Sequence, residues 1–205
     1  LTAEYIHYLF NIPEEVQNAS DEVRVEINIG GTEYCIPVRE SNSDTSNSLP
    51  TVNDEVKEGK QSGEVALNET IVTTTSEFSV ESAEISNEVT PPNPSGYYSY
   101  YEADSGMTYV NLCFKYKNTS ENDVMADEIL SANLKYAGKY DYKGFPVIEE
   151  DNRGDFTYAN ITSIAPLTTE YVHYLFEVPQ EVSDSTESIV VSFVVDGNSY
   201  SYTVR

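Results

Sequence analysis

Two histidines and two cysteines are the residues of this 205-residue chain best suited to catalysis or metal binding: His7, His173, Cys35 and Cys113. A catalytic histidine needs a nucleophile and an orienting acid, and neither histidine has a Gly-x-Ser-x-Gly elbow or a Cys/His arrangement near it. The cysteines are too few for a disulfide framework and match no C-x-x-C spacing, and only the two histidines could help them hold zinc. We therefore predict no catalytic residues, no enzyme activity and no structural zinc site, and we interpret the histidines as structural or surface residues.

An acidic turn at residues 149–155, with the sequence EEDNRGD, is the segment best suited to a hard metal ion. It places several oxygen-bearing side chains around a glycine, as a loose calcium site would need, although the spacing is not that of an EF-hand. The calcium candidates are Glu150, Asp151, Asn152 and Asp155. A solvated acidic loop without a metal is the alternative and simpler interpretation, and we predict no other cofactor.

Tyrosine is the unusual aromatic residue of this chain, with 17 copies against no tryptophan. Tyr97, Tyr98, Tyr100 and Tyr101 cluster directly after a proline-rich break at residues 91–94. A tyrosine ring is apolar with a polar tip, which favours surfaces that recognise proteins or glycans. The alternative is that a tryptophan-free fold uses tyrosine to cover half-buried strand faces, and the lack of tryptophan weakens the glycan version.

The charge balance excludes one class of partner. The chain has 35 acidic and 11 basic side chains, which gives a formal net charge of −24. A field of that sign repels nucleic acids and anionic membrane surfaces. No apolar run approaches the ~18 residues of a membrane span, so we also predict no direct membrane insertion in this segment.

An internal repeat organises the chain. Residues 1–39 align without a gap on residues 167–205, and 16 of those positions are identical. Because the second copy is preceded by a long strand-rich stretch, we interpret residues 1–39 as the C-terminal part of a truncated first repeat and residues 64–205 as a complete domain. Residues 40–63 are rich in Ser, Asn, Asp and Glu and predict a flexible acidic linker. A 39-residue module that occurs at both ends is the alternative interpretation.

From about residue 64 onward, apolar and polar residues alternate in short runs, as they do in β-strands. This pattern predicts an all-β antiparallel sandwich. Residues 107–117 give the clearest strand, whereas residues 78–88 fit two opposite registers equally well. Residues 125–134 have helical spacing and predict a helical turn or two. Asp196 and Gly197 favour a tight hairpin between the last two strands.

A family resemblance rests on several segments of this pattern. The strand YVNLCFKYKNTS at residues 109–120, the Pro166-Leu167 turn, residues 174–179 and the hairpin at Asp196-Gly197 resemble an immunoglobulin-like domain of unknown function. That domain is common in secreted and lipid-anchored proteins of Gram-positive bacteria. The resemblance implies an immunoglobulin-like sandwich and supplies no catalytic residues. One departure is Thr168-Thr169, where the family usually has a glycine.

These observations predict a non-enzymatic, extracytoplasmic tandem immunoglobulin-like protein that acts as a surface spacer or a protein-interaction module. Its truncated first repeat would be a β-hairpin remnant, and any signal or anchor would lie in a missing upstream segment. Its partner would be a protein or a glycan at the cell surface. The alternative is a glycan- or calcium-binding accessory module of a larger surface protein.

Overall fold

The structure is a computed structural model that describes residues 12–18, 23–29, 32–39 and 62–205. The chain divides into two compact units, Leu1–Glu55 and Val56–Arg205. His7 and residues 40–61 of the predicted linker lie outside the described residues. The proposed limits of the truncated repeat, the linker and the complete domain stay predictions.

The N-terminal unit contains a short helix and an antiparallel strand pair in its described part. These elements are α1 (Glu14–Asn18), β1 (Val23–Ile29) and β2 (Thr32–Arg39). The Arg39 guanidinium donates hydrogen bonds to the backbone carbonyls of Val16 and Gln17, at 2.9 and 3.1 Å.

The second unit is an antiparallel β-sandwich of two large sheets. Its first strands are β3 (Gly63–Glu64), β4 (Ile71–Val72), β5 (Ser76–Ser86), β6 (Glu88–Val89), β7 (Tyr101–Glu102), β8 (Met107–Asn118) and β9 (Val124–Met125). Its later strands are β10 (Ser131–Tyr136), β11 (Tyr140–Lys143), β12 (Phe145–Glu150), β13 (Asp155–Tyr158), β14 (Ser163–Ile164), β15 (Thr169–Pro179), β16 (Ile189–Val195) and β17 (Asn198–Thr203). A 3-10 turn spans Ala159–Ile161, and α2 spans Gln180–Asp184.

The two sheets have the strand orders β11-β10-β16-β17-β3 and β13-β12-β15-β8-β5-β4. All neighbours within them are antiparallel except β17 and β3. The prediction of an all-β antiparallel sandwich is confirmed. No helix in the described part of the chain is long and apolar enough to cross a membrane.

The main core lies between the two sheets and is rich in aromatic side chains. Phe114 and Phe193 meet edge to face with ring centroids 5.0 Å apart, and Phe78 packs against Tyr200 at 5.1 Å. Val110, Leu112, Phe114 and Tyr116 alternate along β8, and the face that they share enters this core.

A β-bulge at Glu81 explains why the register of β5 was ambiguous. Val80 pairs with Phe114 and Ser82 pairs with Cys113, so Glu81 is the extra residue on the bulged strand. Phe78 and Val80 therefore point into the core before the bulge, and Ala83 and Ile85 pack against it after the bulge. Both registers of the sequence pattern are correct, each for one half of the strand.

The helical turn predicted at residues 125–134 is wrong. Met125 ends β9, a turn follows, and β10 begins at Ser131. Ala126, Ile129 and Leu130 are nevertheless buried in the core. The apolar spacing therefore reflects a loop that folds its side chains under the sandwich rather than a helix face.

The six-stranded sheet is buried on its inner face and on part of its outer face, where Glu84 and Lys115 stay exposed. A second apolar cluster covers the buried part of the outer face and contains Val89, Tyr109, Val147, Phe156 and Leu175, with Tyr101 and Ala103 packed against it. Val89, Tyr101 and Ala103 belong to residues 87–104, which we call the covering segment. The backbone amide of Asn93 donates to the carbonyl of Arg153 at 2.9 Å, and that of Asp104 donates to the Glu177 carboxylate at 2.9 Å.

The crossing between the two sheets at Gly144 gives a testable prediction. Gly144 separates β11 from β12, and a Cβ at this position would lie 2.5 Å from the Leu175 carbonyl oxygen and 2.8 Å from the Phe176 ring. Gly144→Ala should therefore lower the free energy of unfolding by about 3 kcal/mol through overpacking. The control is Gly138→Ala, in a turn where a Cβ would meet no neighbouring atom but where φ is positive. This substitution should lower the free energy of unfolding by about 1 kcal/mol. Urea denaturation measures both, and equal losses would contradict the steric argument.

Candidate functional site

Five polar or charged side chains meet on the outer face of the six-stranded sheet: Asn111, Cys113, Glu149, Arg153 and His173. We call them the outer-face cluster. Cys113 on β8 pairs directly with His173 on β15, and Val147, two residues before Glu149 on β12, pairs with the other side of His173. Directly paired residues point to the same face of a sheet, so three adjacent strands aim these side chains at one point.

A continuous set of hydrogen bonds joins four members of the cluster, Asn111, His173, Glu149 and Arg153. His173 Nε2 donates to Glu149 Oε1 at 2.7 Å, and His173 Nδ1 lies 3.0 Å from Asn111 Oδ1. The Arg153 guanidinium donates to both Glu149 oxygens, at 2.5 Å from Nε to Oε2 and 3.1 Å from Nη2 to Oε1. Every buried side-chain nitrogen and oxygen in the described residues has a partner, so this network is fully satisfied.

Two aromatic rings pack against Arg153 and His173 in this network. The Arg153 guanidinium carbon lies 3.7 Å from the centroid of the Tyr171 ring, within the range of a cation–π interaction. Phe156 meets the His173 ring edge to face, with centroids 5.0 Å apart. The imidazole is therefore held by packing as well as by hydrogen bonds.

The environment opposes nucleophilic catalysis at Cys113. Burial raises the pKa of the Cys113 thiol far above its ordinary value, and the nearby Glu149 carboxylate raises it further. His173 also has both ring nitrogens engaged by Glu149 and Asn111, so neither is available to take the thiol proton. The residue types of a Cys/His pair are present without the arrangement that activates one.

Glu149 is held as a carboxylate. Burial alone would raise the pKa of Glu149, but the hydrogen bonds from His173 and Arg153 reverse this effect and lower it below the ordinary value. The bonds with Glu149 likewise raise the pKa of Arg153. Glu149 and Arg153 therefore form an ion pair in which Glu149 is only 4% exposed. Removing either charge would leave the other without its compensating partner.

A cavity of about 440 Å³ lies between this cluster and the covering segment. Asn111, Cys113, Arg153 and His173 form part of its lining. Other lining residues are Ser82, Glu84 and Ser86 from β5, Glu88 and Val89 from β6, and Thr90, Pro91, Pro92 and Pro94 from the proline-rich break. Three strands of the sheet and a proline-stiffened loop thus enclose a polar space beside the buried cluster.

The predicted calcium candidates lie at the tip of the turn between β12 and β13. Glu150, Asp151 and Asn152 are exposed, and the last two have left-handed backbone, with φ of 49° and 58°. Asp155 Oδ1 accepts backbone hydrogen bonds from Ser99 and Phe156, both at 2.7 Å. The calcium hypothesis stays a prediction.

The predicted tyrosine cluster divides into exposed and packed members. Tyr97 is fully exposed, Tyr100 is 52% exposed and Tyr98 is 38% exposed. Tyr98 and Tyr100 meet with ring centroids 6.3 Å apart. Tyr101 instead packs on Phe145 at 5.5 Å, as the half-buried alternative expects.

Sequence reasoning missed the outer-face cluster because its members come from separate strands. His173 and Cys113 were considered, but Asn111, Glu149 and Arg153 were not connected with them. The available signal was the polar face of residues 107–117, where Asn111 and Cys113 alternate with the core positions. Recognising it required knowing that this face is buried, and the burial comes from the covering segment.

These features define a β-sandwich protein with a polar cluster buried on the outer face of one sheet. The chain is similar to an uncharacterised β-sandwich protein from Clostridium difficile 630, known from a crystal structure at 1.90 Å resolution. The two are 33% identical with a TM-score of 0.66, and the similarity covers 73% of this chain and 98% of the other. The chain therefore belongs to the same β-sandwich family as that protein.

A conserved hypothetical protein from Bacillus anthracis is a more distant solved structure. It is 13% identical with a TM-score of 0.48, over 68% of this chain and 94% of the other. No protein-family model matches the chain, and no curated protein matches it.

The ion pair in the cluster gives a pH-dependent prediction. Glu149→Gln removes the carboxylate that His173 and Arg153 contact, so the free energy of unfolding at pH 7 should fall by about 3 kcal/mol. Because the folded-state pKa of Glu149 is lowered, its contribution is present above the ordinary glutamate pKa of about 4.3 and is lost as the pH falls through the folded-state value. The difference in stability between wild type and variant should therefore shrink as the pH falls below about 4.3.

The control for this experiment is Glu150→Gln, at the exposed neighbouring position, which should change stability by less than about 0.5 kcal/mol. Urea denaturation across the pH range measures all three proteins. A wild-type–variant difference that stays constant with pH would show that the Glu149 charge contributes nothing.

Proposed function

We propose that this chain is a non-enzymatic, extracytoplasmic protein with tandem immunoglobulin-like domains, and that its complete domain binds a protein partner. The observation that carries the binding role is the set of exposed rings of Tyr97, Tyr98 and Tyr100, which we call the tyrosine surface. These residues lie on the covering segment, whose backbone is fixed to the sheet through Asn93, Ser99 and Asp104. Large rings on a fixed loop bind with little loss of conformational entropy, because little remains to be ordered.

The non-enzymatic part of the proposal is supported by the outer-face cluster. The Cys113 thiol is in an environment that favours its protonated form, and His173 has no free ring nitrogen. A hydrolase of the Cys/His class would need the opposite arrangement.

The tandem organisation is supported by matching local structure in the two copies. Residue numbers in the copies differ by 166, and α1 and β1 correspond residue for residue to α2 and β16. Arg205 donates to the carbonyls of Val182 and Ser183, at 2.6 and 3.3 Å, as Arg39 does to those of Val16 and Gln17. Arginines at equivalent positions thus bond to equivalent short helices in the two copies.

The extracytoplasmic location is supported by the resemblance to immunoglobulin-like domains of secreted and lipid-anchored proteins. The acidic composition agrees with a surface whose partners are not polyanions. A flexible acidic linker would let the complete domain contact partners over a larger distance. A second copy of the domain would add avidity for a partner that presents several binding sites.

A matched pair of variants tests the tyrosine surface. The triple variant Tyr97→Ala/Tyr98→Ala/Tyr100→Ala removes it, whereas Tyr140→Ala/Tyr158→Ala removes two exposed tyrosines elsewhere in the domain. Each protein is immobilised and incubated with cell-surface proteins from the source organism, and in parallel with a glycan array. We expect a surface protein that wild type and the control variant retain and that the triple variant binds at least about 10-fold more weakly, a loss typical of removing aromatic contacts.

Two results would contradict the proposal. Glycan binding that depends on the tyrosine surface, with no protein retained, would favour the accessory-module alternative. If neither assay finds a ligand, or if all three proteins retain a ligand equally, the tyrosine surface is not a recognition surface and the chain acts as a spacer. Circular dichroism of the variants checks that they remain folded.

A further inference from the structure

We propose that Cys113, His173 and Glu149 form a binding site for a divalent transition metal of the zinc class. Their ligand atoms lie within 4.8 Å of one another, and the three residues are 1%, 5% and 4% exposed. In the described ranges, 12–18, 23–29, 32–39 and 62–205, this is the one group of three such ligands. Thiolate, imidazole and carboxylate together suit zinc, whereas calcium and magnesium prefer oxygen ligands alone.

The hydrogen bonds around the group orient it for metal binding. Asn111 Oδ1 lies 3.0 Å from His173 Nδ1, so it can accept a hydrogen bond from Nδ1 while a metal replaces the proton that Nε2 shares with Glu149. Arg153 Nε holds Glu149 Oε2 at 2.5 Å, which keeps Oε1 turned towards His173, and the longer bond from Arg153 Nη2 to Oε1, at 3.1 Å, is the one that the metal would weaken. Outer partners of this kind usually fix the ligands of a metal site.

The distance between His173 and Glu149 must widen by less than an ångström to admit a metal. His173 Nε2 and Glu149 Oε1 are 2.7 Å apart, as a hydrogen-bonded pair. Two ligands at metal distances of about 2.0–2.2 Å in a tetrahedral arrangement are about 3.3–3.6 Å apart, so the metal must separate the pair by roughly 0.6–0.9 Å. The side chain of Glu149 can move by that amount while Arg153 keeps one of its oxygens.

The cavity provides both access and a fourth ligand position. Cys113 and His173 line it, and Glu84 and Glu88 on its wall add negative charge that attracts cations. On binding, a metal–sulfur bond forms as the Cys113 S–H bond breaks, and that proton and the proton on Nε2 pass to solvent. Three protein ligands leave the fourth position for water or for a small donor molecule from the cavity.

The two cysteines allow a matched experiment on the full chain. Cys35→Ser retains the buried thiol and Cys113→Ser retains the exposed one, so each variant has a single cysteine. Under reducing conditions, Zn²⁺ is titrated by calorimetry and Co²⁺ is followed by absorption, because a cobalt–thiolate bond gives a near-ultraviolet charge-transfer band. Calcium is titrated in parallel as the oxygen-ligand control.

We expect wild type and Cys35→Ser to bind one Zn²⁺ per chain, to show the cobalt–thiolate band and to melt at a higher temperature with Zn²⁺. Cys113→Ser should bind Zn²⁺ about 100-fold more weakly and lack the band. Asn111→Leu should keep the band but bind about 10-fold more weakly, because the His173 ring loses its orienting partner.

The proposal is overturned if Cys35→Ser shows no cobalt–thiolate band, or if Cys113→Ser binds Zn²⁺ as tightly as wild type. The second result would place the metal on the acidic surface. Melting curves without metal distinguish lost binding from lost folding, and a folded Cys35→Ser protein that binds no Zn²⁺ is sufficient by itself to reject the site.

Discussion

Burial of part of the outer face of the six-stranded sheet, in addition to its inner face, is the constraint on which the rest of this domain depends. An antiparallel sheet in a sandwich ordinarily leaves one face to solvent, where polar residues need no special partners. Here the covering segment places Val89, Tyr101 and Ala103 over the outer face. The polar side chains buried on that part of the face must then be hydrogen-bonded within the protein, since an unpaired buried polar group costs about 1–3 kcal/mol. The outer-face cluster satisfies this requirement with a closed network.

The same constraint explains which parts of the fold the sequence predicts. The alternation of Val110, Leu112, Phe114 and Tyr116 defines one apolar face, and that information is local to a single strand. The two-residue turn at Asp196 and Gly197 is equally local, because the positive φ values of both residues, 48° and 78°, suit a tight hairpin. All-β class and antiparallel order follow from such signals.

The remaining features depend on contacts between distant parts of the chain. The bulge at Glu81 depends on how β5 pairs with β8, and the strand by itself fits either register. The loop after Met125 has helical spacing because its apolar residues enter a core built by other strands. Glu149 lies in an acidic run, and the sequence does not distinguish it from its acidic neighbours. Only the pairing of β12 with β15 brings it to His173. Local patterns specify strands, whereas the site arises from their neighbours.

The strands at the margins of the two sheets have a consequence for self-association. The outermost strands of the five-stranded sheet are β11, with four residues, and β3, with two. Those of the six-stranded sheet are β13, with four residues, and β4, with two. So little unpaired backbone gives a second molecule few amide and carbonyl groups on which to extend a sheet. Pairing of sheets edge to edge between two copies of this domain is therefore disfavoured, because such a joint would gain only two to four residues of backbone hydrogen bonding at any margin.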